Sequence, residues 1–130
     1  MRLYPPAFVI TRQAAVDDFV AGIPVSKRSL ILIAPWVLHR HRRFWSEPDR
    51  FDPERFLPDR PPPPRFAYLP FGTGPRTCIG APFALTELVL VLAMLVSHFR
   101  IALAPHRPVN PVGLTTIQPD RPPPFLLQRR

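Results

Sequence analysis

The chain is short of the residues that usually build covalent or flexible frameworks. Of its 130 residues only one is cysteine and five are glycine. A single cysteine cannot form an internal disulfide, so the sequence fits a reducing compartment. It also lacks internal repeats, and no secretory leader is expected in this stretch: Pro5 and Pro6 interrupt the early apolar run in "MRLYPPAFVI". The most apolar segment, Leu88–Val96, lies within Phe83–Phe99, which still carries Glu87 and His98. A membrane span needs about 20 apolar residues, so a buried helix is the better expectation and no transmembrane segment is assigned. Acidic residues are scarce too. Nine oppose 17 basic ones, for a net charge of +8.

What is abundant is proline, with 21 residues. Proline fixes φ and removes a backbone donor, so much of the chain must be turns, extended segments and helix starts. "RPPPPR" (Arg60–Arg65) and "RPPPF" (Arg121–Phe125) read as polyproline-like connectors. The cations are nearly all arginine, and they are scattered rather than striped. No aromatic–basic platform accompanies them, so nucleic acid is not the expected partner. Arginine suits anionic cofactor groups, because its fork binds carboxylates in a bidentate way.

Local patterns give an α+β fold class, mainly α with small β elements. β elements are expected over about 7–35, with "AFVITR" as a short strand. Phe19–Ile33 reads as strand–turn–strand around Ser26-Lys27. Residues 39–70 form no sustained period and read as an irregular coil pinned by Phe44, Trp45, Phe51, Phe56, Phe66 and Tyr68. Such a long coil in a compact domain is usually functional. Residues 82–99 read as a buried helix, with Pro82 in the first turn and Arg100 suiting the C-terminal end of the dipole. Residues 101–130 read as terminal strands and turns.

The lone cysteine sits in "FGTGPRTCIG", Phe71–Gly80. A structural zinc site needs about four clustered ligands, and His39, His41, His98 and His106 show no finger spacing. A cysteine nucleophile needs a spatially adjacent base, and an inert buried thiol is the common fate of a lone cysteine. The surroundings favour a third role. Gly72, Gly74 and Gly80 permit backbone shapes closed to other residues. Helix N-termini and nearby cations stabilise thiolates. A single thiolate can supply one axial ligand to a metal already held in a macrocycle, and Arg76 is placed to pair with a carboxylate of that macrocycle.

Phe71-x-x-Gly74-x-Arg76-x-Cys78-x-Gly80 resembles the haem-binding signature of the cytochrome P-450 family. "FDPERF" (Phe51–Phe56) is similar to its meander, "LYPPAFVITR" to the stretch after its E-x-x-R helix, "HRHRRFWSEPDRF" to its H-R-D-P-x-x-W segment, and "PFALTE" to the start of its final long helix. The likeness covers almost the whole chain but only the C-terminal part of a family member: β-hairpin, meander (39–70), Cys-ligand loop (71–80), long helix (82–99) and terminal strands (101–130).

The resemblance implies thiolate-ligated haem b, with Cys78 as the axial iron ligand and Arg76 on a propionate. Phe71 would pack beside the ligand, Gly72 and Gly80 shape the loop, Ala84 leave room for the macrocycle, and Arg12 reach a propionate. His39 is a weaker candidate for that group. Arg2 and Arg55 would share a glutamate that lies outside the chain. The implied activity is oxidoreductase, with O2 and an apolar small molecule as substrates. Electrons would come from a ferredoxin, flavodoxin or reductase meeting Arg42, Arg43 and Arg65. Thr115-Thr116 would border the substrate. A monomer in the cytoplasm is expected. The central oxygen-handling helix of the family has no counterpart here, so the chain reads as a truncated product or fragment, poorly stable and inactive alone. The alternatives are a non-catalytic haem-binding or interaction fragment and a small basic nucleic-acid-binding protein.

Overall fold

A computed structural model describes all residues except 106 and 107, so the expectation for His106 lies outside the described residues. The chain forms two compact units, Met1–Pro70 and Phe71–Arg130. Taken along the whole chain, helix is mixed with small β elements, as the sequence implied.

The first unit contains β1 (Ile10–Gln13), β2 (Asp18–Val20), β3 (Ile23–Val25), β4 (Leu30–Ile33) and the one-turn helix α1 (Pro35–Leu38). β1 pairs antiparallel with β4, from Ile10 opposite Ile33 to Gln13 opposite Leu30. β2 pairs with β3. The expectation of a single strand–turn–strand over Phe19–Ile33 is therefore corrected. The tight turn falls earlier, at Ala21-Gly22, where φ is 52° and 80°. Two consecutive positive φ values match the right-handed twist of a two-residue hairpin. The turn at Ser26–Arg28 instead carries the chain to β4, which returns to β1. The first strand also begins at Ile10, three residues later than "AFVITR" suggested.

The coil after α1 is irregular, as expected. Its one helical turn, Pro53–Phe56, is capped by Asp52, whose carboxylate accepts from the Glu54 amide at 3.1 Å. Only some of the anticipated aromatic anchors hold it. Trp45, Phe56 and Tyr68 gather with ring centroids 5.1 to 6.3 Å apart. Phe51 and Phe66 face solvent, at 79% and 51% exposure. The core is small: Trp45, Ala67, Leu69, Pro5 and Pro35, together with two polar residues, Arg2 and His39.

The second unit contains α2 (Ala81–His98), β5 (Phe99–Leu103), β6 (Pro111–Gly113), β7 (Ile117–Pro119) and β8 (Phe125–Arg129). β5 pairs antiparallel with β8 and β6 with β7. α2 starts one residue before the expected helix and ends one residue before it. Its expected burial is not observed: none of its side chains is buried. Leu88, Leu92 and Met94 are 54%, 60% and 65% exposed. From Leu88 to Val96 the helix is apolar all round, and four short strands present too little surface to cover such a cylinder. By length and composition alone α2 is apolar enough to cross a membrane, although it contains Glu87.

Candidate functional site

The loop Phe71–Gly80 is shaped by its main chain. Gly72 and Gly74 take φ values of 71° and 74°, a region that side chains other than glycine's adopt at a cost. Pro75 follows at the start of a single turn, Gly74–Arg76, where its missing N–H is no loss. Thr77 closes that turn twice, donating from its amide at 3.0 Å and its hydroxyl at 2.8 Å to the Gly74 carbonyl. The Cys78 amide then donates to the Phe71 carbonyl at 2.9 Å. That bond brings the two ends of the loop together.

Cys78 is a free, exposed thiol. The chain turns directly from it into α2: the Ala81 amide reaches the Cys78 carbonyl at 3.3 Å and the Ala84 amide the Gly80 carbonyl at 2.9 Å. Gly80 is the N-cap residue and offers no side-chain cap. A Cβ built on Gly80 would lie 3.8 Å from the Cys78 sulfur, so the sulfur lies close to the residue that opens α2. The amides of a helix's first turn have no internal partner and favour negative charge there.

Of the residues singled out in the sequence, Phe71, Gly72, Arg76, Cys78 and Gly80 share this closed loop, with Ala84 on the first turn of α2. Among the described residues Arg76 makes no hydrogen bond or ion pair, and it is exposed. Arg12 belongs to β1 of the first unit, where it donates to the Thr11 carbonyl at 2.9 Å. No cluster of three or more His, Cys, Asp or Glu side chains is set to hold a metal ion among the described residues. The donor set here is a single sulfur, an unpaired guanidinium and exposed apolar side chains, Ile79 and Phe83 (100% and 73%). That set fits an anionic macrocycle that already holds its metal.

The first unit contains an arrangement that sequence reasoning read only in part. Arg2 donates to three carbonyls, those of His39 at 2.8 Å, Pro48 at 2.6 Å and Arg50 at 2.8 Å, and lies 5.1 Å from the Trp45 ring centroid. It thereby holds the coil by main-chain acceptors. Arg55 donates to Ser46 Oγ at 3.3 Å and to the Glu47 carbonyl at 3.2 Å. Its Nε is buried without a hydrogen bond, 3.6 Å from Asp52. Burial, followed by the charges of Arg55 and Arg40, lowers the pKa of Arg2.

His39 is not free to meet a propionate. It is 0% exposed, and both ring nitrogens are engaged. The Leu69 amide donates to Nε2 at 2.8 Å, so the ring proton is on Nδ1, which donates to the Arg2 carbonyl at 3.2 Å. Burial lowers its pKa to about 4. The sequence held no local signal for this role, since the partners lie 37 and 30 residues away.

Residues 1–127 match the family model described as Cytochrome P450. Over 122 residues the chain is 41% identical to pentalenene oxygenase of Streptomyces avermitilis, covering 93% of this chain and 27% of that protein. It is 40% identical over 112 residues to cyclooctatin synthase of Streptomyces melanosporofaciens, covering 85% and 24%. The solved structure of retinoic acid bound cyanobacterial CYP120A1 superposes with a TM-score of 0.90 at 31% identity, covering 99% of this chain and 30% of that one. The chain thus spans about a quarter of the length of these curated relatives.

Proposed function

The chain belongs to the cytochrome P450 family, and on that premise we propose that it is the haem-thiolate segment of an oxygenase. Cys78 Sγ would hold the iron of haem b as its protein ligand. Arg76 would pair with a propionate, and Arg12 is carried over from the family as a residue that can reach one. Phe71, Gly72, Gly80 and Ala84 border the macrocycle. Residues 39–70 are the meander, 71–80 the ligand loop and 101–130 the terminal strands. Haem held through a thiolate supplies electron-rich iron for oxygen activation.

The observation that carries this reading is the exposed Cys78 sulfur beside Gly80, the N-cap of α2, in a loop closed by Cys78 N–H and the Phe71 carbonyl. Each residue has its own part. The loop amide fixes the ligand's backbone. Phe71 limits water at the sulfur, which tunes the iron's potential. Arg76 contributes a charged fork for a carboxylate.

The substrate class is an apolar small molecule with O2. Exposed Arg42, Arg43 and Arg65 offer a basic surface to an acidic ferredoxin, flavodoxin or reductase. The chain covers 27% of its oxygenase relative, so the same observation favours haem binding without turnover by the chain alone. The setting is a cytoplasmic monomer.

The test is reconstitution with haem, reduction, and addition of carbon monoxide. A red-shifted thiolate-type Soret band that disappears in Cys78→Ser supports the reading. Absence of haem uptake, together with salt-dependent DNA binding, would replace it with the nucleic-acid alternative.

A further inference from the structure

We propose that the proline run Pro61–Pro64, with Arg65, is a docking segment for a protein whose groove is lined by aromatic side chains and rimmed by carboxylates. The run stands between two hydrogen-bonded turns of the first unit. The Arg60 amide donates to the Leu57 carbonyl at 3.1 Å, and the Ala67 amide to the Pro64 carbonyl at 2.9 Å. Each proline fixes its own φ, and each residue before a proline is kept out of the α region. No peptide bond described is cis. These constraints leave Pro61–Pro63 the left-handed polyproline II helix, with about three residues per turn.

That period sorts the side chains. The run lines a groove together with Phe44 and Trp45, and Pro63 is its one half-buried member. Pro61, Pro62, Pro64 and Arg65 are exposed. Pro61 and Pro64 therefore share one outward face, and Pro62 and Arg65 the next. Among the described residues the carbonyls of Pro61, Pro62 and Pro63 accept no hydrogen bond. A polyproline helix is recognised through such features: aromatic faces receive the rings, and side-chain donors such as an indole N–H reach the free carbonyls. Because the run is already extended and pinned at both ends, little freedom is lost when it binds. The charges indicate the rim. Arg60 lies 3.9 Å from Glu54, whereas Arg65 has no ion pair among the described residues and rests 4.6 Å from the Phe66 ring centroid. On a chain of net charge +8, a free arginine beside the prolines calls for carboxylates on the partner. The other proline run differs on both counts. Arg121 pairs with Asp120 at 3.1 Å, and the Pro124 carbonyl accepts from the Ala104 amide at 3.0 Å.

This surface lies wholly in Met1–Pro70 and needs no haem. Its test titrates the isotope-labelled full chain with a purified SH3 domain whose aromatic groove has an acidic rim. A parallel titration uses the same domain with its groove tryptophan changed to alanine. Amide shifts are followed at Arg60, Arg65 and Phe66, with Arg121 and Phe125 as controls. The expected result is saturable shifts at the first three alone. Affinity falls about tenfold or more in Arg65→Gln, and binding is lost when Pro61→Ala and Pro64→Ala are combined. Unchanged fluorescence of the buried Trp45 shows that each variant keeps its fold. If the double variant disturbs Trp45, Pro62→Ala on the other outward face takes its place. Equal binding by the alanine-substituted domain would reduce the contact to charge alone and overturn the proposal. So would shifts centred on Arg121 and Phe125, or no shift with the intact domain.

Discussion

The amide of Cys78 donates to the carbonyl of Phe71 at 2.9 Å, and through that bond the ligand loop is closed by main chain rather than by side chains. Changes of side chain within the loop should therefore separate into those that alter the ligand and those that alter the backbone.

Gly74 and Gly80 should part company on this basis. An added methyl at either position meets no clash: there is nothing within 4 Å at Gly74 and only the sulfur at 3.8 Å at Gly80. The difference is torsional, since Gly74 has φ +74° and Gly80 has φ −80°. Gly74→Ala should cost about 1–2 kcal/mol, while Gly80→Ala stays within about 1 kcal/mol. Amide hydrogen exchange at Cys78 in each variant, read against the unsubstituted chain, gives both numbers.

Arg76→Gln removes the guanidinium and leaves the loop closed. Because Arg76 has no protein partner among the described residues, the unliganded chain should keep its stability. Haem affinity should fall about 10- to 100-fold, the value of a charged hydrogen bond, with the thiolate-type band retained at saturation. Titration with haem and the spectrum at saturation test the two parts separately.

Arg2→Lys should be poorly tolerated. One ammonium group cannot reproduce a planar fork reaching the carbonyls of His39, Pro48 and Arg50. Losing two charge-assisted bonds in a mostly buried setting should cost about 3 kcal/mol or more. Trp45, 5.1 Å from the guanidinium, reports the change by fluorescence during urea unfolding.

Acid should weaken the first unit before its carboxylates titrate. His39 has a folded pKa of about 4, against 6.5 for the free side chain. Above pH 6.5 both folded and unfolded states hold it neutral and its contribution is complete. Between 6.5 and 4 the unfolded state binds the proton first, so stability falls as pH falls. The loss should reach about 1.4 kcal/mol by pH 5.5 and about 3 kcal/mol near pH 4. The nearby charges of Arg2, Arg40 and the Met1 amino group act in the same direction. Urea midpoints at pH 7.5 and 5.5 should differ accordingly, and the difference should vanish in His39→Gln.

The parts that were legible in the sequence are those written in local signals. Pro82 and the apolar run after it marked α2 to within one residue at each end. Phe71, Gly74, Arg76, Cys78 and Gly80 marked the loop by spacing. The hairpin turn was misplaced because Ala21, unlike glycine, gives no sign of accepting φ 52°. The pairing of β1 with β4 and the circuit of Arg2, His39 and Leu69 join residues from 17 to 37 positions apart. No window of sequence contains both ends. The burial of α2 failed for another reason. Composition tells how much a helix needs covering, not whether the chain brings enough surface to do it.

Every fully buried residue described lies in Met1–Pro70, and none in Phe71–Arg130. Heat capacity of unfolding scales with the apolar surface newly wetted, and the second unit has little left to wet. A calorimetric scan should therefore show one modest endotherm belonging to the segment around Trp45 and His39. α2 should contribute a shallow, gradual loss of ellipticity with no peak of its own. The helix that follows the ligand loop would then melt as a helix–coil transition, while the segment around Trp45 and His39 melts as a protein.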